Sequence, residues 1–374
     1  MSRLKELSAK GTAVWLDFVD KKFLDAGDLK KLVEEDGLTG VTSNPTIFEK
    51  AMGQGEAYDA GLAEYDRANP DAPTIDRYEH LAIGDIKAAA DTLRPVYDRL
   101  EGRDGYVSLE VSPSIALDTD ATIAEAAKLW GMVDRPNLMI KIPGTDAGAP
   151  AIAQTIRAGI NVNVTLLFAR SAYARVAEAY AMGLEERVRQ GEPIDRIASV
   201  ASFFVSRIDS SIDKEIDRRV EAGDPESDAL KALRGKVAIA NAKLAYQWYL
   251  DFLKSDRWRA LADKGAQPQR LLWASTGTKD KAYPATLYID ELIGPDTVNT
   301  MPPQTMDAFR DHGTVADTLT ADVDEAKRVL DEAERLGLDL DAVTGRLVDE
   351  GVASFVKSFE DLLGSIAKKQ PAHA

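Results

Sequence analysis

Residues 137–148 read NLMIKIPGTDAG and place Lys141 inside an apolar run. A buried ammonium group without a partner is costly, so a lysine there calls for a use. An unprotonated amine can attack a carbonyl carbon and form an imine. A free lysine has a pKa of about 10.4, so little of it is neutral at pH 7. Apolar neighbours such as Met139 and Ile142 disfavour the charged form, whereas nearby carboxylates favour it. Imine chemistry also needs proton transfer. The carbinolamine must lose water, and a substrate hydroxyl must gain or lose a proton. Asp17, Glu110 and Thr165 could supply those steps, because each lies late in an apolar run of its own.

Other polar residues fall in comparable positions. Asn44 ends TGVTSN, Asn163 precedes Thr165 in INVNVTLLF, Ser202 sits in IASVASFF, and Ser275 lies at the end of RLLWAST. Each alone has an ordinary reading. An Asp or Lys near a strand end is usually salt-bridged or solvated. Asn44 before Pro45 could simply cap a turn, and Ser202 and Thr165 could bond the backbone. Many strands each carrying a polar group at the same end is harder to produce by chance. Arg207 follows just beyond Ser202, and WASTGTKDK adds Gly277 and Lys279 after Ser275. Hydroxyls, a glycine turn with free N–H groups and two cations suit a phosphate. Arg207 alone could equally pair with the acidic helix after it.

The elements that must position these groups are short β-rich runs: TAVWLDF from Thr12, TGVTSN from Thr39, YVSLEV from Tyr106, LMIKIP from Leu138, INVNVTLLF from Ile160, IASVASFF from Ile197, RLLWAST from Arg270 and TVNTMP from Thr297. Helix-like segments such as DLKKLVEEDG, TIAEAAKLWGMV, GAPAIAQTIRAG and SAYARVAEAYAMGLEERVRQG separate most of them. Strand and helix in alternation predict a parallel sheet. Eight such strands predict an α/β fold of the (β/α)8 TIM-barrel type with extra helices, whose active sites lie at the C-terminal strand ends. An open doubly wound sheet fits less well, since no Gly-rich loop follows the first strand. The whole chain, 1–374, reads as a single barrel domain. Two helical insertions extend it, at about 47–105 and about 206–265, the second of two or three helices. DEAKRVLDEAERLG and a final helix, GVASFVKSFEDLLGSIAKK, follow the last strand.

Composition excludes several chemistries. There is no cysteine, so thiolate, disulfide and iron–sulfur chemistry are out. The three histidines, His80, His312 and His373, are far apart in sequence, which disfavours a metal centre or a His-based triad. His373 falls in a tail expected to fray. A net charge of −16 disfavours nucleic acid and anionic membranes as partners. No apolar stretch approaches the ~20 residues of a membrane span. MSRLKELSAKG lacks the apolar core of a secretory signal, and a cytoplasmic location is expected. Monomer and homodimer both remain open.

GVTSNPTIFEKAM, VSLEVSP, NLMIKIPGTDAG, INVNVTLLF, SVASFFVSRID, LLWASTGTKDKAYPATLYIDELIG and TVNTMP together resemble the transaldolases, a family of the Schiff-base aldolase superfamily, in their longer bacterial form. The resemblance implies a pentose-phosphate-pathway transferase with sugar-phosphate substrates and no metal or organic cofactor. It would move a dihydroxyacetone unit from fructose 6-phosphate or sedoheptulose 7-phosphate to erythrose 4-phosphate or glyceraldehyde 3-phosphate. It makes Lys141 the Schiff-base lysine and Asp17 the acid/base at carbon–carbon cleavage. Glu110 and Thr165 would hold a proton-relaying water, with Phe204 an aromatic neighbour of that water. Asn44 and Asn163 would bind the hydroxyls of the three-carbon unit, and Ser202, Arg207 and Ser275 the phosphate. Short family members carry an arginine after the seventh strand, where this chain offers Lys279, a point charge without a guanidinium fork. Some long members carry a fused glucose-phosphate isomerase domain, which is not expected in a chain of this length. Three other readings stay open: a lyase releasing free dihydroxyacetone, a barrel that binds sugar phosphate without turnover, and a pyridoxal-phosphate barrel.

Overall fold

The computed structural model describes residues 2–53 and 56–369, so His373 and the tail around it lie outside the described residues. Eight parallel strands close in chain order into a barrel. They are β1 (Thr12–Leu16), β2 (Gly40–Val41), β3 (Tyr106–Glu110), β4 (Leu138–Pro143), β5 (Val162–Leu167), β6 (Ser199–Phe204), β7 (Arg270–Ala274) and β8 (Thr297–Met301). Each lies within one of the eight apolar runs. Closure through β1 and β8, paired from Thr12↔Thr297 to Leu16↔Met301, rules out the open sheet.

Strands of a barrel are covered on both faces, which is why these read as near-continuous apolar runs. Every residue of β4, β5 and β6 is buried. At β2 the backbone passes close under Trp15. A Cβ on Gly40 would come within 2.2 Å of the indole, so glycine is required there.

Register sets the site. Glu110 pairs with Lys141, and Lys141 with Asn163, so three polar residues stand side by side on β3, β4 and β5. β5 loses its regular register between Val164 and Leu167, and Leu166 there has a φ of +59°. This bulge sets Leu166 against the C-terminal helix, Leu340–Lys368. Gly351 leaves room for it, since a Cβ there would lie 2.8 Å from Leu166 Cδ2.

The connection between β2 and β3 holds helices Pro45–Gly53, Asp59–Ala68 and Thr74–Arg99. Residues 206–265 hold four helices, not two or three: Ser206–Glu221, Ser227–Leu233, Val237–Leu253 and Asp256–Ala262. The last boundary is set by Ser255, whose Oγ accepts from the Trp258 N–H at 3.2 Å and starts a new helix. Helix Pro303–His312 follows β8 and was not expected from the sequence. The C-terminal helix begins at Leu340, well before GVASF, because the Asp339 carboxylate accepts from the Ala342 N–H at 2.9 Å. Among the described residues, no helix is long and apolar enough to cross a membrane.

Candidate active site

The C-terminal ends of the strands surround a cleft of about 450 Å³. Its lining includes Asp17, Asn44, Lys141, Thr165, Ser202, Phe204, Arg207, Ser275 and Lys279. The other two expected residues, Glu110 and Asn163, are not in the lining. They are joined to it by side-chain contacts to Lys141 and Ser202.

Lys141 answers for its burial with two neighbours. Its Nζ donates to the Ser43 carbonyl at 3.0 Å and lies 3.4 Å from Glu110 Oε2. A neutral amine keeps two N–H groups, enough for both neighbours, which leaves its lone pair for the cleft. Burial raises the pKa of Glu110, the Lys141 charge opposes the rise, and Asp17 adds to it. Neither Glu110 oxygen has a well-formed hydrogen bond, and neither does the buried Thr165 hydroxyl. Such groups are unusual inside proteins and mark strain or function.

Asp17 keeps partial access to the cleft at the end of β1. It accepts from the Thr42 hydroxyl at 2.7 Å, and Thr42 lies 2.8 Å from the Thr300 hydroxyl. With the Thr42 proton on Asp17, Thr300 is the donor to Thr42. Enclosure by protein raises the Asp17 pKa, while Lys141, the Thr42 hydrogen bond, Arg207 and Lys279 hold it down. Asn163 donates to Ser108 Oγ at 3.0 Å and accepts from Ser202 Oγ at 2.7 Å. That ties Ser202 to the lysine end of the cleft. Asn44 does cap a turn: its Oδ1 accepts from the Ile47 N–H at 3.0 Å and starts helix Pro45–Gly53. Its side chain lines the cleft as well.

An outer group forms beyond β6 and β7. The Arg207 guanidinium lies 5.3 Å from the Phe204 ring centre, and Phe204 packs on Phe168 at 5.2 Å. Ser275 takes a left-handed φ of +55°, and its hydroxyl lies 2.9 Å from Ser206 Oγ. A non-glycine residue held there costs energy and is typical of functional sites. Partial enclosure by the protein lowers the pKa of half-buried Arg207 and of the more exposed Lys279.

Thr42, Ser43 and Thr300, which make these contacts, and Lys50, which also lines the cleft, were not expected from the sequence. The rule that singled out Asn44, a polar residue late in a strand run, applies equally to Thr42 in TGVTSN and Thr300 in TVNTMP. Ser43 contributes a carbonyl, which no side-chain pattern reveals.

A closed (β/α)8 barrel that gathers a lysine, a carboxylate and further cations at its C-terminal mouth, with Glu110 beside the lysine, is an enzyme with its polar groups where this fold places chemistry. Its family follows from comparison with known proteins. The family model described as Transaldolase/Fructose-6-phosphate aldolase matches residues 14–366, and the chain belongs to that family. Among curated relatives, "Transaldolase 2" of Nostoc sp. is 48% identical over 374 residues, covering 99% of this chain and 98% of its own. "Transaldolase" of Thermobifida fusca is 48% identical, covering 100% of this chain and 99% of its own. "Transaldolase 1" of Streptomyces avermitilis is 49% identical, covering 98% and 95%.

Proposed function

We propose that the protein is a transaldolase that moves a dihydroxyacetone unit between sugar phosphates through an imine on Lys141. The observation that carries the reading is the placement of Lys141: buried, 3.4 Å from Glu110, and in one cleft with Asp17 and the outer cations. The full-length relatives bearing the transaldolase name support it.

In this reading Lys141 attacks C2 of fructose 6-phosphate. Glu110, protonated more readily because it is buried, gives a proton to the departing water. Thr165 steadies the water, a role that fits the lack of a hydrogen-bond partner at both groups. Asp17 then takes the proton of the C4 hydroxyl. The C3–C4 bond breaks, its electron pair flows into the iminium, and glyceraldehyde 3-phosphate leaves. The enamine attacks the aldehyde of erythrose 4-phosphate, Asp17 returns the proton to the new hydroxyl, and hydrolysis releases sedoheptulose 7-phosphate. The iminium nitrogen is the electron sink, so this chain's own residues suffice.

Asn44 and Asn163 hold the hydroxyls of the three-carbon unit, and Ser202, expected from the sequence at the phosphate, joins them through its 2.7 Å bond to Asn163. Arg207, Ser275 and Lys279 take the phosphate. Phe204 presents an apolar ring to the enamine and discourages its protonation by water, which favours transfer over release of dihydroxyacetone. Sugar-phosphate substrates fit a cytoplasmic enzyme.

The test is product analysis with fructose 6-phosphate, with and without erythrose 4-phosphate, for wild type and Lys141→Ala. The reading expects sedoheptulose 7-phosphate only with both sugars, little free dihydroxyacetone, and loss of transfer in the variant. Wild-type transfer by Lys141→Ala, or dihydroxyacetone as the main product with acceptor present, would overturn it.

A further inference from the structure

Lys50 lies in the last turn of helix Pro45–Gly53, the helix that Asn44 caps. Thr46, Ile47 and Lys50 are spaced three and four residues apart and so share one helix face. All three line the cleft that holds Lys141. The helix is firmly seated. Phe48 and Met52 are buried on its other side, and Thr46 Oγ1 lies 2.9 Å from Ser358 Oγ on the C-terminal helix.

Three cations thus meet at one opening: Lys50, Arg207 and Lys279. Asp17 is the carboxylate among the lining residues. None of the three cations has a carboxylate within ion-pair distance among the described residues, although the chain carries a net charge of −16. Lys50 and Lys279 are exposed and Arg207 is half-buried, so all three can be reached from the cleft. Lys50 is near enough to Lys279 that its charge helps to lower the Lys279 pKa, after burial and Arg207. The three repel one another, and an anion between them relieves that repulsion.

The closed strand order fixes where each comes from. β2 and β6 are four places apart in a ring of eight, so their loops face each other across the mouth. Arg207 follows β6 and Lys279 follows β7, whereas Lys50 is carried by the helix after β2.

We propose that Lys50 is a third cation of the substrate's phosphate site, closing on the anion from the β2 side while Arg207 and Lys279 hold it from the other. A lysine suits this place because its ammonium is a point charge on a flexible stem. It can follow a phosphate held on sugars of different length. The identity of the substrate rests on the transaldolase reading, but the anion site does not.

The experiment compares wild type, Lys50→Met and Lys50→Arg in two ways. First, kcat/KM is measured for fructose 6-phosphate and for unphosphorylated fructose. The preference for the phosphorylated sugar should fall about tenfold in Lys50→Met, or about 1.4 kcal/mol, mainly through KM, and return largely in Lys50→Arg. Second, thermal unfolding is followed against inorganic phosphate, which needs no turnover. Lys50→Met should need about tenfold more phosphate for the same rise in Tm. An unchanged preference and an unchanged phosphate response would overturn the proposal. So would an equal loss on both sugars with phosphate stabilisation intact, which is the mark of a structural role. If wild type shows no transfer but the phosphate response still depends on Lys50, the transaldolase reading fails and the anion site stands.

Discussion

Thr42 gives the proposed mechanism a quantitative test. Its hydroxyl donates to Asp17 at 2.7 Å, one of the influences that holds the Asp17 carboxyl down against its burial. Thr42→Val keeps the shape of the side chain and removes that donor. A hydrogen bond to an ionised group contributes about 1.5–3 kcal/mol, and each pKa unit is worth about 1.4 kcal/mol. Asp17 must be ionised to take the C4 hydroxyl proton in the cleavage direction, so activity is lost as pH falls through its pKa. Losing the donor favours the protonated form, and the acid limb of kcat/KM therefore moves to higher pH, by about one to two pH units. Below both limbs the variant should be about 10- to 100-fold slower than wild type, and on the plateau the two should differ by only a few-fold. The assay is the initial rate of glyceraldehyde 3-phosphate formation from about pH 5 to about pH 9, with donor well below KM so that the free enzyme is reported. Thr300→Val serves as a graded control. It removes the donor to Thr42 rather than to Asp17 and should shift the limb in the same direction by less. An acid limb that stays in place in Thr42→Val, or a uniform loss at every pH, would refute the assignment of Asp17 as the base.

Two further predictions concern residues outside that hydrogen-bond chain. Asp209 is buried, which pushes its carboxyl up to about 7 from 3.8, against hydrogen bonds from the Ala238 N–H and the Tyr288 hydroxyl. The unfolded chain gives up this proton first, so stability falls as pH rises between those two values. The cost is fully present above the folded value and amounts to at most ~4 kcal/mol. Asp209→Asn should therefore gain Tm relative to wild type at about pH 8 and lose that advantage at about pH 4; a difference in Tm that is the same at both would exclude Asp209 as the source. Phe204→Tyr places a hydroxyl in the cleft beside the proposed enamine. The ratio of free dihydroxyacetone to sedoheptulose 7-phosphate should rise several-fold, and unchanged partitioning would remove Phe204 from the account of transfer over release.

Most of the barrel was legible because burial on both faces forces each strand into a short apolar run, and the polar residues that interrupt those runs had to be explained. Lys141 in LMIKIP and Glu110 in YVSLEV stood out for that reason, and their register across β3 and β4 brings them together. What the sequence did not show is what closure brings together. Thr42 meets Thr300 although 258 residues separate them, and Lys141 meets the Ser43 carbonyl across 98. Such pairs depend on ring closure and strand register, neither of which leaves a local pattern. Lys50 was hidden for a related reason: on a helix surface a lysine ordinarily looks solvated, and only the fold turns it toward the cleft. The C-terminal helix starts at Leu340, upstream of the GVASF segment with which the sequence reading begins it. Gly351 lies inside that helix, where a Cβ would come within 2.8 Å of Leu166 Cδ2. Packing overrides propensity there.

Borohydride reduction of the enzyme with fructose 6-phosphate, followed by peptide mass mapping, decides whether Lys141 forms the imine. A stable three-carbon adduct is expected on the peptide that contains Lys141 and on no other lysine. An adduct on Lys50 or Lys279, or no adduct on folded protein with substrate present, would contradict it.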